Sequence, residues 1–196
     1  TAEPAAILRP GSLREVGPAA LATGGAVSNT GLTLHKLGIP VRLIGQVGND
    51  DFGRIVRRII SSYGRRMAGG IIADGASATS YSVIISRPGL DRIFLHHPGA
   101  NDTFRAADVP AERLSETRLF HFGYPPIMKS MFTRNGRELE ALFRKAKKAG
   151  ATTSLDMSLP DPDSASGRAD WPAILRAVLP WVDVFQPSFE EILFML

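Results

Sequence analysis

The stretch Gly24-Gly25-Ala26-Val27-Ser28-Asn29 decides how this chain is read. It runs through Leu32, Leu34 and Leu37 to Gly38-Ile39-Pro40, then into Val41-Arg42-Leu43-Ile44-Gly45. Two glycines open a segment whose apolar residues recur at helical spacing, Gly38 stops it, and an extended run follows. Paired glycines at a helix start let a ligand approach the backbone, because no Cβ stands in the way. The first free N–H groups of the helix point at such a ligand. Asn29 follows about one and a half turns later, with an amide that both donates to and accepts from a hydroxyl. These residue types suit a polar, hydroxyl-rich ligand. Taken alone, they equally suit a glycine-rich turn before an ordinary core helix.

Working outward, the remaining segments alternate between extended and helical patterns. Val41 to Val47 reads as a strand closed by Gly48-Asn49-Asp50, and Asp51 as the cap of a helix carrying Phe52, Ile55, Val56, Ile59 and Ile60. Ile71 to Ala73, Leu119 to Phe122, Thr152 to Leu155 and Val182 to Phe185 read as further strands; Gly136 to Ala149 and Trp171 to Leu179 read as helices. Pro187-Ser188 opens a last helix with Glu190 and Glu191. Strands each followed by a helix predict a doubly wound α/β fold, a mainly parallel sheet with helices on both faces. Ligands of such sheets gather beyond the C-terminal ends of the strands, where Gly123-Tyr124, Asp156 and the turn from Pro187 to Glu191 all fall.

One region breaks the alternation. Thr79 to Ser86 and Arg92 to His97 alternate with period two around a Pro-Gly turn, the pattern of a β-hairpin. Tyr81, Val83 and Ile85 share one parity, matched by Ile93 and Leu95 on the other strand. A two-stranded ribbon is marginal alone, so that face needs a cover. Ala5 to Arg9 and Leu13 to Val16 read as short extended pieces able to join it. The chain is therefore read as one incomplete α/β domain over residues 1–196, with small β elements at about 5–16 and 79–97 forming a β lid.

Composition narrows the function. The chain has 196 residues, 44% apolar and 21% charged, enough for one large domain with a real core. It has no cysteine, which excludes disulfides, thiolate metal sites and a cysteine nucleophile. The net charge of +4 comes from dispersed arginines and a lysine-rich helix face, with no aromatic interleaving, so nucleic acid is not an expected partner. A modest basic balance suits phosphorylated ligands. No apolar run approaches a membrane span and the first residues carry no signal-peptide pattern, so no membrane partner is expected and a cytoplasmic home is. The start at Thr1 and the stop at Leu196 inside an apolar helical pattern read as a fragment of a longer protein.

With these elements in order, the chain resembles the ribokinase-like (PfkB) carbohydrate kinases. Four stretches carry the resemblance: Gly24 to Asn29 with Leu37-Gly38 and Gly45 to Gly53; Thr79 to Ser86 with Arg92 to Asn101, ending in Gly99-Ala100-Asn101; Thr152 to Asp156; and Val182 to Glu191. The resemblance implies an ATP- and Mg2+-dependent kinase that phosphorylates a sugar or sugar-like hydroxyl, with a small lid that pairs two subunits in several members. It implies that Gly24, Gly25 and Asn29 bind substrate hydroxyls and that Asn101 supports the substrate-side turn. It places Asp156 at the active site and Glu191 on the metal–phosphate network through water. Ser188 stands where the family has Asn, so the Asn-x-x-Glu motif reads Ser-x-x-Glu here. The resemblance also places the first strand before Thr1, and the general base and anion hole after Leu196. This chain, on that reading, holds the substrate half and the lid and does not transfer phosphate by itself. Two other readings stand beside it. One is a kinase-derived sugar-binding protein without catalysis. The other is a nucleoside kinase, for which Tyr81, Phe94 and Tyr124 are the aromatic candidates for a base clamp.

Of the histidines, His96 and His97 point to opposite faces of their strand, His121 reads as a core residue and His35 as solvated. Asp161 and Asp163 read as loop residues between prolines, and Asp170 as a cap before Trp171-Pro172. Tyr124-Pro125-Pro126 suits either a sugar pocket or a rigid turn before a helix.

Overall fold

A computed structural model describes residues 10–13, 15–86, 89 and 91–196. The expected piece Ala5 to Arg9 lies outside the described residues. Leu13, Glu15 and Val16 belong to no strand.

The chain begins its regular structure with a helix over residues 25–36. It consists of a first turn, a π-helical stretch Val27–Leu32 and the short α1, Thr33–Lys36. Next come β1 (Gly45–Gly48), α2 (Asp51–Ser62) and β2 (Ile71–Asp74). A hairpin of β3 (Tyr81–Ile85) and β4 (Ile93–His97) follows. The rest alternates: α3 (Ala111–Ser115), β5 (Leu119–Phe122), α4 (Lys129–Lys148), β6 (Thr152–Asp156), α5 (Trp171–Val178), β7 (Val184–Gln186) and α6 (Phe189–Met195).

The expected single sheet is present as two parallel groups. β1 pairs with β2, and β5-β6-β7 form a three-stranded sheet. β1 and β5 do not pair with each other. A cleft of about 3320 Å³ runs between them, with Leu43 to Val47 on one side and Leu119 to Tyr124 on the other. The hairpin β3–β4 is a separate antiparallel sheet.

Two cores hold these layers. The larger one buries Phe122, Leu139, Leu142, Phe143, Leu155, Trp171, Ile174 and Val178, where α4 and α5 cover one face of β5–β7. The smaller one joins Leu32, Leu43, Val47, Ile60 and Ile71, so the first helix and α2 pack on β1–β2. Ile44, of opposite parity to Leu43, packs against the larger core. Helices thus lie on both faces of the parallel strands taken together.

Three boundaries differ from expectation in detail. The cap of α2 is Asp50 rather than Asp51: the Asp50 carboxylate accepts from Gly53 N at 2.8 Å. α4 carries an extra turn from Lys129 to Phe132, but Thr133 to Gly136 leave helical geometry, with Arg134, Asn135 and Gly136 left-handed, so the long helix starts after Gly136 as expected. A Cβ on Gly136 would also lie 2.7 Å from the Ile174 side chain, so the glycine lets α4 and α5 approach closely. The extended run before β1 forms ladder bonds only from Gly45 onward.

Candidate functional site

The first helix begins at Gly25, whose φ of +72° lies in the left-handed region. A Cβ at Gly24 or Gly25 would meet nothing within 4 Å. Packing therefore does not explain this glycine pair; it fronts open space in the cleft, and both residues line that cleft with Asn29. The π-helical stretch contains Asn29, and such widened turns frequently occur at functional sites.

Facing this helix are the C-terminal ends of β5, β6 and β7. Gly123 closes the gap: a Cβ there would lie 3.1 Å from Asp156 Cβ and 3.3 Å from Ala26 Cβ. The Asn29 side chain stands close enough to the Tyr124 hydroxyl to act on it. Burial pushes that hydroxyl above its ordinary range, Asn29 opposes this, and the charges of Asp156 and Glu191 add to the rise. Asn29, Asp156 and Glu191, from three other chain segments, thus all act on Tyr124.

Asp156 ends β6 and accepts from Met157 N at 2.9 Å. Burial raises its carboxyl above the usual carboxylate range, against the bond from Met157 N and the attraction of His121. Ser188 and Glu191 cap α6 reciprocally. Ser188 Oγ accepts from Glu191 N at 3.2 Å, and Glu191 Oε2 accepts from Ser188 N at 2.7 Å. Both residues also line the cleft.

The far wall is the hairpin. Its register pairs Val83 with Leu95 and Ile84 with Phe94. Phe94 and His96 of β4 line the cleft, whereas Ile93, Leu95 and His97 do not. Asn101 Nδ2 donates to Ser80 Oγ at 3.0 Å, bracing the start of β3. Asp50 does the same from α2. Its carboxylate accepts from Thr79 Oγ1 at 2.6 Å and from Thr79 N at 2.7 Å. Those bonds hold its carboxyl below the usual range. Gly48, Gly53 and Gly99 crowd round this joint: a Cβ at each would lie 2.4 Å or less from a backbone oxygen. Thr79 and Asp50 were not singled out in the sequence; the only signal was the clustered glycines on either side.

The candidate residues Gly24, Gly25, Asn29, Asn101, Asp156, Ser188 and Glu191 all border one cleft. The remaining candidates have other roles, although Asp161 and His35 also reach the rim of this large cleft. Asp170 caps α5 by accepting from Ala173 N, and Asp161 and Asp163 stand on an exposed loop. His35, expected in solvent, is half-buried and its Nε2 bonds the Tyr63 carbonyl at 2.8 Å. Among the described residues no group of three His, Asp or Glu gathers to hold a metal ion directly. No helix among them is long and apolar enough to cross a membrane.

The pfkB family carbohydrate kinase model matches residues 3–196. The chain belongs to this family. It is 29% identical to Fructokinase-1 of Zea mays over 151 residues, which are 76% of this chain and 45% of that protein. It is 27% identical to Fructokinase-2 of Oryza sativa subsp. japonica over 186 residues, 94% of this chain and 54% of that one. This pfkB chain therefore spans about half the length of the curated relatives it matches. Among solved structures, it resembles a fructokinase from Xylella fastidiosa with bound ATP. The TM-score is 0.69 at 24% identity, over 88% of this chain and 52% of that one. It also resembles a ribokinase from Thermotoga maritima, with a TM-score of 0.64 at 19% identity over 94% of this chain and 54% of that one. The fold is ribokinase-like α/β.

Proposed function

We propose that the protein containing this chain phosphorylates a sugar hydroxyl with ATP and magnesium, and that this chain supplies the sugar side of the site. The observation that carries the proposal is the convergence on one cleft. Gly24 and Gly25 leave backbone space, while Asn29, Tyr124 and Asp156 offer donors and acceptors along the same cleft. Such a set matches an alcohol-rich ligand that presents several hydroxyls at once. Relatives named fructokinase make fructose the first sugar to try.

Phosphoryl transfer rests on positioning, charge neutralisation and exclusion of water. Asn29 and Asp156 would orient the acceptor. The hairpin, braced by Asp50 and Asn101 at its base, would act as a lid over the sugar and shed water. Glu191 spends Oε2 on Ser188 N and keeps Oε1 for solvent. One free carboxylate oxygen beside a hydroxyl fits magnesium held through water, since that ion retains much of its hydration shell. When bound, the ion would offset charge on the transferred phosphate. The uncovered face of the hairpin would pair with the same face of a second copy.

The test is ATP-dependent phosphorylation by the full-length protein over a sugar panel that includes fructose, with and without magnesium. Product from one or a few sugars is the expected result. Sugar binding without turnover would replace the kinase by a sugar-binding protein. Turnover of nucleosides alone would move the reading to the aromatic clamp.

A further inference from the structure

The open face of the β5–β7 sheet carries a polar chain that the proposed phosphorylation does not use. His121 Nδ1 lies 3.0 Å from Ser154 Oγ, directly across the strand pair. Ser154 Oγ donates in turn to Gln186 Oε1 at 3.1 Å. A hydroxyl has one proton. With that proton committed to Gln186, Ser154 accepts from His121, so His121 carries its proton on Nδ1. Nε2 is left as a lone pair, and it is buried with no partner among the described residues. A buried acceptor with no partner is costly and calls for a reason.

Asp156 supplies one. It lies two residues beyond Ser154 on β6, hence on the same face as His121. Among the described residues, Asp156 is the charged group that acts on the His121 ring, and His121 the charged group that acts on Asp156. Beyond them, Tyr124 faces Asp156, and Glu191 on α6 faces Tyr124. Gln186 of β7 and Asn29 of the first helix are neutral.

We propose that His121 is a positioning residue for the sugar site: anchored through Ser154 and Gln186, it sets whether Asp156 is free to bind the sugar. With Nε2 unprotonated, Asp156 has only the Met157 N–H as a donor and keeps its other oxygen for the cleft. With Nε2 protonated, the imidazolium donates to Asp156 and draws the carboxylate inward, so the proton and the sugar compete. Burial lowers the histidine below its ordinary range, so the sugar-competent form prevails at neutral pH. Acid reduces sugar affinity as pH falls through the histidine's titration. The substrate in this proposal rests on the sugar-kinase reading; the coupling of His121 to Asp156 does not.

Two measurements test it. Nitrogen NMR of the histidine rings is expected to show His121 protonated at Nδ1 near pH 7.5. The Asp156 carboxyl is expected to titrate differently in His121→Gln. In the full-length enzyme, the sugar KM of wild type is expected to rise about tenfold per pH unit below the histidine titration, one proton competing with one sugar, as its binding polynomial requires. His121→Gln is expected to flatten that rise, with the ATP KM unmoved and the melting temperature kept. Nδ1 unprotonated, or an Asp156 titration unchanged in His121→Gln, overturns the proposal even if no sugar is turned over. A sugar KM with the same acid limb in wild type and His121→Gln overturns it as well. Absence of turnover with every sugar, alongside a shifted Asp156 titration, removes the kinase reading and keeps the coupling.

Discussion

At the scale of single residues, the glycines fall into two kinds that the sequence shows identically. Gly24 faces open space, while a Cβ on Gly53 would stand 2.1 Å from Gly48 O. On the proposed sugar site the first kind answers to a ligand; the second answers to the chain itself. Gly24→Ala is therefore expected to leave the melting temperature within a degree or two of wild type. Its methyl intrudes on the bound sugar, and overpacking of about 1–3 kcal/mol raises the sugar KM by roughly ten- to a hundredfold. A melting temperature that falls with the KM would return Gly24 to a packing role. Asn29→Ala removes an amide that acts on Tyr124 and borders the cleft, a loss of roughly 1–3 kcal/mol in sugar binding. Calorimetry with the sugar that proves to be the substrate checks it. Tyr124→Phe separates the two residues: a smaller KM rise than Asn29→Ala shows that the amide also reaches the sugar.

At the scale of elements, the joint between α2 and the hairpin fixes where the base of the hairpin stands. Asp50 caps α2 and holds both the N–H and the hydroxyl of Thr79, and Thr79 Oγ1 accepts from Gly48 N at 2.8 Å. Asp50→Ala removes the cap and leaves the buried Thr79 groups unpaired, costing about 2–4 kcal/mol in denaturant unfolding. Gly53→Ala is expected to cost about 3 kcal/mol or more, since its neighbour is rigid backbone. The pH dependence has a definite sign. The folded carboxyl of Asp50 is held below its ordinary value, so its contribution is complete above the unfolded value, about 3.9. It is lost as pH falls through the lower, folded value. Wild type should lose stability there more steeply than Asp50→Asn; parallel acid unfolding curves would refute the assignment. Strand and helix order was legible because each element carries its own period. The cap was placed one residue late because Asn49-Asp50-Asp51 offers two adjacent carboxylates, and only the bond to Thr79, 29 residues away, selects between them. Gly136 was legible as the opening of the long part of α4, because a left-handed glycine punctuates the chain there, whereas the separate turn Lys129 to Phe132 before it carries no such signal.

At the scale of the whole molecule, the cleft was legible only as a convergence of strand ends, not as a shape. Asp156 and Glu191 were placed at ends by their elements, whereas the His121–Ser154–Gln186 chain needs the register of three strands, which no local pattern encodes. The hairpin shows what the same register does for assembly. Its expected apolar parity exists, with Val83 opposite Leu95, and these are 50% and 47% exposed. Tyr81, on the same face, is covered at the base by Phe52 of α2, with ring centroids 5.3 Å apart. The other face carries Phe94 and His96 into the cleft. Leu95 lies on the side of the ribbon away from Phe94 and His96, while Val83 of β3 also borders the cleft, so substitutions on the two sides are expected to differ in effect. Val83→Ser with Leu95→Ser is expected to convert a full-length dimer to monomer by sedimentation at micromolar concentration, because each removes a buried aliphatic side chain worth about 1.5–3 kcal/mol. The sugar KM of that variant should rise only as far as a loosened lid allows. Phe94→Ala is expected to do the reverse, raising the sugar KM while leaving the sedimentation coefficient unchanged. A wild-type protein that sediments as a monomer rejects the pairing of hairpins, and the exposed Val83–Leu95 face then has to be covered from within the full-length chain.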